Sequence, residues 1–437
     1  MAGSTNRRAL QWLRGQLPEL VAAGAISSES ARAIEHHYES FKARTNFGFV
    51  VLATVGAALV GAGIILLIAH NWDEFSRAIR TIIAFLPLLI AQALVVFVLM
   101  RRNESRPWRE AVAVFDVAAV ATAISLISQT YQIQGSFAEF MRVWLLLSIP
   151  IVYLLRTTLG AVLYVIGTIV WLFARWGFLS QGNPMLFWVL FLLVIPYFWI
   201  RFRNDRNSRE TATLAIALSV AAVFGLGFTA EFAKADLGGI AFAGLFAAIY
   251  LCGIKFFPRA DERLHIVALV GGIGIGITAT VLSFESSWHM SRDLPWGERG
   301  VAANVGLALE LLFPVVAVCL AGLDVFRRHF EFSLTVAATP IIVAIAWGIA
   351  KSCDCSFVAA AIMNCYALLL GIDILARGIR TNSIARANFG LLLIAALAIT
   401  RFFDSDLSFV TRGVGFIVVG AGFLIANILL FRKRATT

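Results

Sequence analysis

Residues 47–100 read FGFVVLATVGAALVGAGIILLIAHNWDEFSRAIRTIIAFLPLLIAQALVVFVLM. Two apolar runs flank one polar centre, AHNWDEFSRAIR at 69–80. A bilayer core of about 30 Å takes roughly 20 helical residues to cross, and each run is that long. Both runs are continuous rather than alternating, which predicts helices and excludes barrel strands. The polar centre is then a turn between two spans, with Trp72 at the interface.

The rest of the chain follows the same pattern. It has 437 residues, 60% of them hydrophobic and only 14% charged, with a mean hydropathy of +0.84. A soluble chain carries about 25% charged residues. Fourteen spans are predicted, near 47–69, 78–100, 110–128, 138–155, 158–176, 184–200, 211–229, 238–254, 265–283, 301–321, 332–350, 356–375, 387–400 and 409–431. The fourth and thirteenth are short. The expected class is an all-α polytopic helical membrane protein of about 14 transmembrane helices. A cytoplasmic helical hairpin (1–46) precedes the transmembrane domain (47–431), and a short cytoplasmic tail (432–437) follows it. No cleaved signal peptide is expected, because the first 46 residues are polar and charged. The first span is expected to serve as the targeting signal.

Charge orients the chain. With the N-terminus in the cytoplasm, inner segments hold 26 of the 36 Lys and Arg residues and outer segments hold 10. This is the positive-inside bias, and it predicts both termini inside. Acidic residues do not follow it: 12 are inner, 11 outer and 3 within spans. The basic balance therefore reads as a topology signal and an attraction to anionic headgroups, with the lipid bilayer as partner. No nucleic-acid partner is expected, since no basic cluster is interleaved with aromatics on a soluble domain.

Leu10, Leu13, Leu17 and Leu20 recur at helical spacing, and Gly24 ends that helix. Ser27 reads as the N-cap of a second helix, with Glu29 in its first turn and Ala31, Ile34, Tyr38 and Phe41 on its apolar face. Forty residues make a small core. The hairpin is expected to pack on the membrane domain or to dock a protein partner, a role the outer loops could share. His36 and His37 are adjacent, so a helix points them apart and a metal site there is not expected.

The segment WLRGQLPELVAAGAISSESARAIEHHYES followed directly by a span resembles the start of a bacterial membrane-protein family, domain of unknown function 2157. NWDEFSRAIR, SLISQTYQIQGS and the C-terminal RFFDSDLSFVTRGVGFIVVGAGFLI are similar to that family's recurring pattern. The resemblance covers about the first 150 residues and the end, and is loose between. It implies a multi-pass protein of the bacterial inner membrane and no mechanism.

Three polar loops each follow an odd-numbered span, so the threading places them together on the outer face. They are HNWDEFSR, QTYQIQG and RFFDSDLS. In the first, Asn71, Trp72 and Asp73 precede Arg80; in the last, Asp404 precedes Arg412. An arginine at an outer membrane end is costly unless it snorkels or pairs. One reading is an interfacial aromatic, a helix cap and a local ion pair that recur by chance. The other is a shared outer-face polar site formed by Asn71, Trp72, Asp73, Arg80, Asp404 and Arg412 with Gln129, Tyr131 and Gln132.

Two carboxylates lie inside spans, Glu310 near a midplane and Asp116 nearer the cytoplasmic end. Such acids are expensive in lipid and often mark ion or proton paths, although a neighbouring helix can also satisfy them. Asp373 lies close to the inner end, where it is expected to snorkel. Glu285, His289 and Asp293 share a helical face, but Pro295 follows and no second ligand set is near. No metal and no cofactor is predicted. Cys353 and Cys355, with one residue between them, would strain a direct disulfide. GGIGIGITAT lies inside a span with no preceding strand, which excludes a nucleotide loop. Its Gly272 and Gly276 suit close helix packing.

No hydrolase triad motif, phosphate-binding loop or zinc pattern is present. Three function classes are therefore carried. The first is a non-enzymatic membrane protein with an outer-face polar site for a ligand or partner. The second is a proton- or ion-coupled transporter or flippase using Glu310. The third is a membrane enzyme acting on a lipid-linked substrate.

Overall fold

The computed structural model describes residues 16–31, 72–176, 183–206, 208–233, 237–257, 266–288, 300–326, 334–353, 355–381, 383–402 and scattered positions from 410 to 422. The chain divides into two units, Met1–Arg80 and Thr81–Thr437.

In the first unit residues 16–22 are helical. Gly24 ends them at φ +70°, a left-handed conformation that only glycine adopts without steric cost. The Ala25 N–H then closes on the Leu20 carbonyl at 3.0 Å. Ser27 Oγ accepts the Ser30 N–H at 3.0 Å, as an N-cap does, and a second helix opens at residue 28. Leu10, Leu13, Ile34, Tyr38 and Phe41 of the expected hairpin lie outside the described residues, as does the expected span 47–69.

The second unit is helical. After the long helix α1 (Arg77–Arg101), which begins in the first unit, come α2 (Arg106–Tyr131), α3 (Phe137–Leu155), α4 (Thr158–Trp176), α5 (Met185–Leu192), α6 (Ile195–Asn204) and α7 (Arg209–Ala233). Then follow α8 (Gly238–Phe256), α9 (Ile266–Val281), α10 (Val301–Phe326), α11 (Leu334–Ala337), α12 (Thr339–Cys353), α13 (Ser356–Arg380) and α14 (Ile384–Phe402). Among the described residues nine helices are long and apolar enough to cross a membrane, with α5 and α6 taken as one. Three shorter apolar helices, Ile266–Val281, Thr339–Cys353 and Ile384–Thr400, fall on further expected spans. Most of 409–431 lies outside the described residues. The outer surface of the helices is apolar: Ile82, Leu89 and Met100 of α1 are 66%, 64% and 75% exposed. Only lipid covers such a surface on every span, so the chain is a polytopic helical membrane protein.

Small residues set the closest crossings. A Cβ added at Gly271 on α9 would come within 2.5 Å of the Tyr250 backbone nitrogen on α8, and one at Gly253 within 2.4 Å of Ala268. Gly272 and Gly276 lie elsewhere on α9, opposite the Phe389 and Leu393 side chains of α14. The close approach therefore belongs to the neighbouring face of the glycine run. Gly244 on α8 faces the backbone of Pro314 on α10 in the same way.

The expected span 184–200 is broken into α5 and α6 at Leu193 and Val194, just before Pro196. Proline has no N–H and clashes with the preceding turn. The Val194 N–H turns to Phe191 O, and Leu190 O instead accepts the Tyr164 hydroxyl at 3.0 Å. The Tyr153 hydroxyl donates to Leu193 O. Two tyrosines thus satisfy carbonyls that a continuous helix would have satisfied itself.

Replacing Gly271 by valine should push α8 and α9 apart and lower the detergent melting midpoint by several degrees, an overpacking cost of about 1–3 kcal/mol. Gly322→Ala, where an added Cβ meets nothing within 4 Å, should not lower the midpoint. Equal midpoints for the two variants would show that the crossing is not tight.

Candidate functional site

The turn before α1 is built by arginine on backbone. Trp72–Glu74 form a 3-10 turn. Arg80 reaches back with Nε donating to Phe75 O at 3.0 Å and Nη2 donating to Asp73 O at 3.0 Å. Its guanidinium carbon lies 5.8 Å from the Trp72 ring centroid. The Asp73 carboxylate is 3.8 Å from Nη2 and fully exposed. Arg80 and Asp73 are therefore neighbours, as their spacing suggested, but carbonyls hold the arginine more closely than the carboxylate does. An exposed ion pair at that distance contributes little. Asn71, Asp404 and Arg412 lie outside the described residues.

The second loop closes α2. Gln132 ends the helix in the left-handed region at φ 53°, and its N–H bonds Gln129 O. The Ile133 N–H bonds Ser128 O at 2.9 Å, and Ser128 Oγ returns a bond to Ile133 O at 3.0 Å. Gln129 and Gln132 are exposed. The Tyr131 hydroxyl lies 3.0 Å from Thr81 Oγ1 on α1. A capping box then starts α3: Ser136 Oγ accepts the Glu139 N–H at 3.2 Å, and the Glu139 carboxylate accepts the Ser136 N–H at 2.9 Å.

Between α1, α2 and α3 lies a groove of about 560 Å³, within the range of small-ligand sites. Phe85, Leu88, Ile124, Ile127, Val143 and Leu147 make it largely apolar. Ser128, Gln134, Ser136 and Glu139 form a polar rim, and Gln92 is the polar group at the other end. None of Gln129, Tyr131 and Gln132 lines it. Their neighbours do, because the left-handed turn at Gln132 carries the chain back over the bundle. The S-F-A-E capping box directly after QTYQIQG is the signal that could have located the rim.

Gln92 joins the groove to the buried acid of α2. Its amide donates to Asp116 Oδ1 at 2.7 Å, and Asp116 is 2% exposed. Trp144 of α3 donates to Val117 O beside it at 2.8 Å. Asp116 is thus satisfied by a neighbouring helix. Glu310 is fully buried in α10. One turn before it, Gly306 faces Thr229 and Ala233 of α7; one turn after it, Pro314 faces Gly244 of α8. The Trp188 ring of the broken span lies tilted against Phe313, centroids 6.0 Å apart, and its indole N–H donates to Thr229 at 2.9 Å. Glu310 therefore sits in a bundle interior next to a discontinuous helix, remote in sequence from the groove.

Other singled-out groups have structural partners. Asp373 accepts from Arg377 on its own helix and from Thr335 of α11, so it ties two helices together. Glu285 accepts the Ser356 hydroxyl at 3.0 Å, while His289 and Asp293 lie outside the described residues. Cys353 and Cys355 are free thiols, and Cys355 Sγ contacts Cys353 O. No group of three metal-ligating side chains is present among the described residues.

Residues 18–159 match the family model DUF2157, described as a predicted membrane protein. The match holds the turn, α1, α2, the groove and α3, and ends just inside α4. The resemblance read from the sequence is shown over these residues. No curated protein and no solved structure matches the chain.

Arg80→Ala should speed amide exchange of residues 72–77 about tenfold, because loss of a carbonyl bond opens the turn locally. Asp73→Asn keeps both carbonyls and should leave exchange unchanged. Equal acceleration by Asp73→Asn would mean that the carboxylate, not the carbonyls, anchors Arg80.

Proposed function

We propose that this chain is a non-enzymatic protein of the bacterial inner membrane whose site is the α1–α3 groove on the outer face, and that the groove takes an amphiphile. The carrying observation is the groove's chemistry: an apolar floor at span depth, with Ser128, Gln134, Ser136 and Glu139 at one lip. An amphiphile lies with its chain along Ile124, Val143 and Leu147 and its head at that lip. The outer placement rests on charge counting, which puts the opposite, arginine-rich ends of these helices in the cytoplasm. Gln92, already committed to Asp116, sets the polar limit of the groove at the chain's far end.

The test uses a photoactivatable single-chain phosphocholine in nanodiscs containing the full-length protein. Labelling should concentrate on residues 85–92 and 128–147, and Val143→Trp, which fills the groove, should cut it several-fold. Uniform labelling of all exposed helices, indifferent to Val143→Trp, would sink the reading.

A second reading is a proton-coupled transporter using Glu310. It is favoured by full burial of that carboxylate beside a broken span, the arrangement in which many transporters place coupling sites. In liposomes holding a pH-sensitive dye, proton flux in the wild type and its loss in Glu310→Gln would support it. Equal dye response with and without the wild-type protein would exclude it.

A further inference from the structure

At the end of the bundle away from the groove, the connections α1–α2, α3–α4 and α6–α7 converge. They enclose a polar pocket of about 260 Å³. Arg106, Arg109, Arg156 and Arg201 line it with the acids Glu110, Asp205 and Glu210.

Two of the acids are already committed. Glu110, 9% exposed, caps α4: it accepts the Thr158 and Leu159 N–H groups, each at 2.9 Å, and the Thr157 hydroxyl. A carboxylate on the positive end of a helix is well placed there. Glu210 pairs with both Arg106 and Arg201. Asp205 contributes its backbone carbonyl to Ser208 and Thr211.

Arg109 and Arg156 remain. Among the described residues neither has an ion-pair partner, and Arg109 Nε is buried without a hydrogen-bond acceptor. A buried guanidinium N–H without an acceptor is costly. Arg156 is held at the α3–α4 corner by a left-handed backbone, φ 50°. The pocket thus presents two uncommitted guanidiniums, one with a buried, unused donor, and two more whose carboxylate partner is shared.

We infer that this pocket binds a phosphate group. Guanidinium forks match phosphate oxygens in plane and spacing, and Arg109 and Arg156 both line the pocket without a carboxylate partner of their own among the described residues. The volume admits the phosphate and its first ester atoms, and the charged and polar lining disfavours acyl chains. Two sources carry this chemistry: the headgroup of an anionic phospholipid, whose chains stay in the bilayer, and free phosphate from the aqueous side. Basic pockets between helices on the cytoplasmic side suit the first source, and charge counting puts this end there.

The full-length protein in nanodiscs separates the sources. In one arm, native mass spectrometry counts phosphatidylglycerol retained from an equal mixture with phosphatidylcholine. In the other, inorganic phosphate is titrated in phosphatidylcholine-only discs against chloride of equal ionic strength, read by the melting midpoint. Selective retention of phosphatidylglycerol assigns the headgroup; a phosphate-specific shift assigns the free anion. In the positive arm R109Q/R156Q should bind about a hundredfold more weakly, the loss of one charge-assisted contact from each guanidinium. R109K/R156K should fall between, and R203Q should match the wild type, because Arg203 stacks on Trp199 outside the pocket. Should the double variant not fold, R156Q, at an exposed residue, takes its place. No selectivity in either arm for the wild type, or wild-type binding by the glutamine variants, overturns the inference.

Discussion

Hydrocarbon offers neither donor nor acceptor, so each backbone group inside it has to find a partner within the protein. Helices meet that demand along their length and fail it at their ends and breaks. Polar side chains in this chain are placed where the failure occurs. Glu110 closes the start of α4, and the Ser136–Glu139 box closes the start of α3. Tyr153 and Tyr164 take the carbonyls released around Pro196. Arg80 gathers the carbonyls of the turn before α1, and Trp288 takes Leu282 O after α9. Most of these residues look functional when read as isolated polar groups in an apolar chain. Their partners show that they complete the backbone.

The same demand decides what could be read from the sequence. Apolar length and continuity locate the helices, because they are one-dimensional properties, and twelve expected spans meet helices among the described residues. The break before Pro196 is not legible in the sequence, since single prolines are common in spans and the Tyr164 and Tyr153 hydroxyls that take the released carbonyls lie far away in the chain. Spacing pairs Asp73 with Arg80, but it cannot distinguish a side-chain carboxylate from the carbonyl of the same residue. Gly272 and Gly276 have the i, i+4 spacing of a packing face, yet the neighbours of Gly271 decide which face is tight. The groove escaped for a related reason. Its wall is ordinary Ile, Val and Leu, and its rim begins where a left-handed Gln132 redirects the loop.

Acids and bases fare differently once packed. Glu110, Asp116, Glu210 and Asp373, all buried or half-buried, receive hydrogen bonds or ion pairs from neighbouring groups. That is what low dielectric requires of a carboxylate, whose desolvation is otherwise uncompensated. The arginines at the α1–α2, α3–α4 and α6–α7 connections need not all follow, since a topology signal requires only charge near the membrane and no particular geometry. Arg203 and Arg206 behave in this way, lying over Trp199 and Phe202 with no demand on an anion. Arg109 does not, because its Nε is buried, and a buried donor needs an acceptor whatever put the arginine there. One part of the basic excess is therefore diffuse and makes no demand beyond charge near the membrane. The part around Arg109 and Arg156 is localised in a pocket where both nearby glutamates are committed elsewhere, and orientation does not account for it.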